Sequence, residues 1–169
     1  MLDHLRYRTI QSGLLLFWAL WTSLVLLTNV LDVLKRVGAL PADFRLVSGN
    51  YQLVSSTLSA QYLPALVGVV LFAGVLAWQA LSALLLWQAY GDFRRRGDGA
   101  SPAVERAFVV SLALWAAFLI ADEALVAYIV EASHMRVLVA QMVTLLIVRG
   151  VHVRSAAGET AEPRDAAVR

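Results

Sequence analysis

The chain is 169 residues long, 60% hydrophobic and only 15% charged, with a mean hydropathy of +0.69 and a formal net charge of +2. A soluble domain of this length is about half apolar and about a quarter charged, so the composition fits a chain whose apolar surface meets lipid. The absence of cysteine excludes disulfides, zinc ribbons, iron–sulfur clusters and thiol nucleophiles, and no face or tail gathers enough Lys and Arg to hold nucleic acid.

A membrane span takes about 20 mostly apolar residues to cross ~30 Å of hydrocarbon. The first runs over about 10–31, "IQSGLLLFWALWTSLVLLTNVL". Arg6 and Arg8 precede it in the manner of a signal peptide, but the run is too long for an h-region and no A-x-A cleavage site follows, so it reads as an uncleaved helix. Near its outer end Asn29 and Asp32, three residues apart, share a helical face. The segment 37–61 forms the largest stretch outside the membrane. Its "DFRLVSGNYQLVSSTLSAQYL" alternates in part like a strand and equally suits a short interfacial helix.

The second span covers about 63–87, with Pro64 in its first turn, where a missing N–H does no harm. Gln79 falls near the midplane, and an amide at that depth must find its partner inside the bundle. Ala73, Ala77 and Ala80 lie on a neighbouring strip that lets another helix approach closely. Interhelical packing is the expected role of all four. Trp87 and Tyr90 suit an interfacial aromatic belt.

"GDFRRRGDGASP" then breaks the chain, and Ser101–Pro102 supplies an N-cap and first-turn pair, with Glu105 at the positive end of the next helix dipole. The apolar runs 107–121 and 137–148 are each too short to cross. Together they predict one helical hairpin with spans at about 107–130 and 135–152 and "EASHMR" as its turn. Asp122 and Glu123 then lie roughly 23 Å above the inner boundary, and about 100° apart on the helix they cannot face the same way. Asp122 shares a face with Trp115 and Phe118, and Glu123 with Ala116, Leu119 and Ala127. The smaller neighbours predict that Glu123 faces a helix partner and borders an outward-facing polar pocket with Asn29 and Asp32, while Asp122 lies nearer the lipid headgroups. Intramembrane ionisable residues characteristically face the bundle or a watery cavity.

Ten Lys and Arg residues fall on the side of the termini against four on the other, which predicts both termini in the cytoplasm. The segment 155–169, "SAAGETAEPRDAAVR", has no apolar periodicity and is expected to be a disordered cytoplasmic tail. The fold class is all-α: a four-transmembrane-helix bundle over 1–154 with one longer outer loop.

Cofactor chemistry finds little support. Glu131 and His134 form a Glu-x-x-His spacing, but carboxylate-bridged di-metal bundles need two such motifs and one is present. A bis-histidine haem needs ligands at matched depth. Of His4, His134 and His152 only the first and last qualify, and both sit at helix ends. No Ser-His-Asp order, phosphate loop or dinucleotide fingerprint appears. The expectation is therefore no cofactor, no metal and no catalytic residue.

In "AWQALSALLLW", Trp78, Ala80, Leu81, Ala83, Leu84 and Trp87, together with Asn29, Asp32 and the external loop, form a pattern. It resembles a family of small bacterial integral membrane proteins that share a four-helix domain and have no established activity. Gln79 stands where that family carries Glu, so the resemblance implies no proton-carrying role here. "LWAAFLIADEALVAYI" is loosely similar to the family's third helix, with the acidic residue shifted in register. The resemblance covers about the first 150 residues and implies a multi-pass protein of the bacterial cytoplasmic (inner) membrane. The expected function is a non-enzymatic accessory or partner-binding subunit in the bilayer, paired with another membrane protein or with copies of itself. The alternatives are a small transporter or ion-conducting oligomer using Asn29, Asp32, Asp122 and Glu123, and a membrane redox or metal-binding subunit.

Overall fold

The computed structural model of the chain describes residues 2–97, 99 and 101–159, with side-chain surroundings for 6–97, 99 and 101–150. Its helices are α1 (Leu2–Arg36), α2 (Asn50–Ala60), α3 (Ala65–Arg96), α4 (Pro102–Ala124) and α5 (Tyr128–Glu159), and no strand occurs among the described residues. All but the short α2 are long and apolar enough to cross a membrane, with mean hydropathies between 1.3 and 2.2 in their most apolar windows.

The four long helices pack in the order α1, α3, α4, α5, and α2 lies across α3 and α1 at one end. On α3 the inward face is read directly from the sequence: Phe72, Gln79, Leu86 and Phe93 recur every seven residues, two helical turns, and all are buried. At the end away from α2, Leu15, Leu86, Phe93, Val104, Phe108 and Val148 form a close-packed core. Between α5 and α1 the bundle closes through long side chains that reach across. Trp18 Nε1 donates to Thr144 Oγ1 at 2.9 Å, Gln11 Nε2 to the Val148 carbonyl at 2.7 Å, and the Tyr7 hydroxyl to the Ile147 carbonyl at 2.9 Å.

The start of α4 follows its sequence signals. Ser101 is the N-cap, its hydroxyl accepting from the Val104 N–H, and Pro102 opens the helix. Its end does not. The helix stops at Ala124, the chain turns through Leu125–Ala127 with Val126 in the left-handed region (φ 55°), and the Ala127 N–H donates to the Asp122 carbonyl at 2.7 Å. "EASHMR" is therefore not a turn but lies in the first turns of α5. Because α4 starts at Pro102 rather than 107, its 23 residues already make a rod about 35 Å long. Extension to 130 is not needed to cross ~30 Å.

The other boundaries shift less. α1 extends the predicted span at both ends, whereas α3 extends it only at its C-terminal end and starts at Ala65, with Pro64 as its N-cap rather than in its first turn. The segment 37–61 resolves into an irregular stretch followed by α2, the helical of the two readings. α5 remains helical over 155–159, the start of the expected tail, and 160–169 lie outside the described residues. Ala73, Ala77 and Ala80 are exposed on the outside of α3, not packed within the bundle, because the heptad of larger residues occupies the inward face.

Candidate functional site

At the α2 end all five helices or their connections border a cavity of about 440 Å³. Its walls are mainly apolar, with Val25, Phe72, Trp78, Leu114, Trp115 and Phe118 among them. Besides the Thr57 hydroxyl, two polar groups break these walls: an amide cluster of Asn29, Asn50 and Gln79, and a carboxylate–imidazole pair of Asp122 and His134.

The amides form a relay between three helices. Asn50 Nδ2 donates to Asn29 Oδ1 at 2.9 Å, and Asn29 Nδ2 donates to Gln79 Oε1 at 2.9 Å. Asn29 and Gln79 are both buried, so each meets the requirement that an interior amide find a partner. Asp32, on the same face of α1, has a different task. The N-cap of α2 is Gly49, which has no side chain to satisfy the first-turn N–H groups. Asp32 Oδ2 does so from the neighbouring helix, accepting from the Tyr51 N–H at 2.9 Å and the Ser48 hydroxyl at 3.2 Å. A carboxylate there also meets the positive end of the α2 dipole. Asp32 is absent from the cavity wall; it secures the helix that roofs it.

The acidic pair is placed the opposite way from the sequence expectation. Asp122 is only 5% exposed and lines the cavity, whereas Glu123 is exposed and does not. The inward face of α4 runs Val104, Phe108, Ser111, Trp115 and, two turns on, Asp122, with the half-buried Phe118 between them, a stripe at helical spacing that carries most of the large residues. Neighbour size pointed to Glu123 because it assumed that small residues mark the helix contact.

Asp122 Oδ2 lies 2.6 Å from His134 Nδ1. The early turn makes this contact available, since it brings α5 into helical form before residue 134 and sets the imidazole beside the last turns of α4. Phe118 stacks on the imidazole at 4.8 Å between centroids with planes 19° apart, and Trp115 lies 5.7 Å away on a tilted plane. Trp115 in turn packs against Trp21 at 5.7 Å. The ring is thus held by one polar and two aromatic neighbours.

Of the residues singled out by sequence, Asn29, Gln79, Asp122 and His134 meet at the cavity. Glu131, Glu123 and the three alanines do not line it. Of the Glu-x-x-His pair only His134 lines the cavity, and among the described residues no group of three or more His, Asp or Glu stands where it could hold a metal. The side chains of His4 and His152 lie outside the described residues. Asn50 escaped sequence reading because it belongs to the outer segment, although its position just after Gly49 is a helix-start signal.

An apolar cavity of this size with a few convergent polar groups has the usual make-up of a small-molecule site. No known family model, characterised protein or solved structure matches this chain.

Proposed function

We propose that this is a non-enzymatic integral membrane protein that binds a small, mostly apolar molecule in the outward half of its helix bundle. Four apolar helices, with basic residues concentrated at the end opposite α2, support four spans with both termini in the cytoplasm and α2 outside. A bacterial cytoplasmic membrane is the location this proposal takes. The cavity carries the reading: about 440 Å³ of largely apolar space whose polar groups are drawn from α1, α2, α3, α4 and α5 together. A packing defect would not account for this convergence.

The test uses a brominated medium-chain alcohol, which quenches tryptophan fluorescence on contact, with the purified full chain in detergent. Trp115 and Trp78 line the cavity, so quenching should contain a saturable component. Ala117→Phe, which places a ring in the same space, should remove that component and leave only the linear partitioning into detergent. Linear quenching in both proteins would contradict the proposal. Orientation is tested separately on this cysteine-free chain: Asp43→Cys should react with an impermeant thiol reagent in intact cells and Arg95→Cys should not.

One observation favours a partner-binding role beside this. The exposed Ala73, Ala77 and Ala80 offer the kind of small-residue strip on which another membrane helix approaches closely. Oxidative cross-linking of Ala77→Cys in membranes should then yield a defined dimer or a cross-link to one partner. A monomer at full oxidation would remove this role.

A further inference from the structure

The charges around the cavity narrow the class of molecule it takes. Among its lining residues there is no Lys or Arg, and the ionisable ones are Asp122 and His134. An anionic ligand would meet the carboxylate with no fixed positive charge to offset it. Asp122 itself is 5% exposed in an apolar wall, a setting in which a carboxylate is stable only when paired and hydrogen-bonded. His134 engages one carboxylate oxygen, Oδ2.

The aromatic lining points the same way. Phe72, Trp78, Trp115 and Phe118 all border the space, and each is held in place by neighbours. The Trp78 indole N–H donates to the Val110 carbonyl at 3.0 Å, Phe72 meets the Tyr51 ring edge to face at 5.4 Å, and Trp115 and Phe118 pack on each other at 5.5 Å. Aromatic faces attract cations, most strongly where water is excluded. Fixed rings and one buried carboxylate, in a cavity whose other polar lining groups are the Asn29, Asn50 and Gln79 amides, the Thr57 hydroxyl and the His134 imidazole, are complementary to an organic cation.

Building on the binding role above, we propose that the ligand is a compact lipophilic cation, an aromatic or short-chain ammonium compound whose charged head lies between Asp122 and the rings. A cavity of about 440 Å³ falls within the range that encloses drug-sized molecules. The amide relay of Asn50, Asn29 and Gln79 offers polar contacts for a head or tail substituent.

The experiment compares two probes of one shape: a phenylalkyl trimethylammonium salt and its neutral isostere, in which a tert-butyl group replaces the charged head. Both are titrated into the full-length protein in detergent by calorimetry. The ammonium probe should bind at least about tenfold more tightly than the isostere, and Asp122→Asn should remove most of that preference while leaving the isostere's affinity within about twofold. Phe118→Leu, which keeps the carboxylate and removes a ring, should reduce the preference by a smaller factor. Equal binding of the two probes to the wild type would overturn the cation assignment and leave the cavity reading intact. So would an undiminished preference in Asp122→Asn. Binding of neither probe would overturn the cavity reading, and the cation assignment with it.

Discussion

The two ends of the bundle use the same kinds of residue for opposite purposes. Away from α2, aromatic and aliphatic side chains fill the interior: Phe93, Phe108, Val104 and Val148 are essentially inaccessible, and polar side chains such as Gln11 and Tyr7 reach across to backbone carbonyls that hold α1 to α5. At the α2 end Trp78, Trp115 and Phe118 instead line an opening, and the polar side chains Asn29, Gln79, Asp122 and His134 bond to one another around it. An apolar helix bundle therefore does not need a polar interior to hold a site. It needs only a level at which the side chains stop meeting across the middle. α5 is the least buried of the four long helices, with 11% of its most apolar window buried against 28–33% for the other three.

The largest expected effect lies at the packed end. Phe108→Ala removes a fully buried ring and should cost about 3–5 kcal/mol. That effect should be visible as a large loss of thermal stability in detergent and of folded protein in membranes, whereas truncating Leu114 in the cavity wall should cost clearly less because part of its surroundings is already open. Equal losses would erase the distinction between the two ends.

Next comes Gln79→Leu, which leaves the buried Asn29 amide without its acceptor and should destabilise by about 1–2 kcal/mol. The double substitution with Asn29→Leu should recover part of that loss, so a double-mutant cycle by thermal unfolding reads the coupling. A smaller change of opposite sign is expected from Gln141→Leu. Gln141 is fully buried and both its amide atoms lack a partner among the described residues, so an aliphatic replacement of similar size should raise stability by about 1 kcal/mol. Glu123→Ala should change stability by no more than about 0.5 kcal/mol and leave probe binding unaltered, in contrast to Asp122→Ala. If the two acidic residues proved equivalent, the assignment of the cavity wall to Asp122 would be wrong.

The four long helices were legible because each carries an apolar run bounded by charge or by Ser–Pro, and Gln79 was legible as an interior amide that must be bonded. The end of α4 was not. "ADEALVAYIV" contains no Gly or Pro, and the turn at Leu125–Ala127 is made by a left-handed valine, Val126, a conformation to which that residue type gives no clue. That misplacement hid the Asp122–His134 pair, since it put His134 in a loop and left Asp122 without a partner. The faces of α4 were decided by neighbour size, where the stripe from Val104 through Trp115 to Asp122 was the better guide. Which helix Asn29 or Trp18 would meet depends on the packing order of the bundle, and a single sequence carries no record of that order.

The contrast between the ends is tested most directly by single-cysteine accessibility in the folded protein, which has no native thiol to interfere. Ala121 lines the cavity, whereas Ala89 is buried in the packed core. A small methanethiosulfonate reagent should modify Ala121→Cys, with the brominated alcohol slowing the reaction as it fills the space, and should leave Ala89→Cys untouched until the protein is denatured. Equal reactivity at the two positions, or an Ala121→Cys rate that the alcohol does not change, would contradict the account.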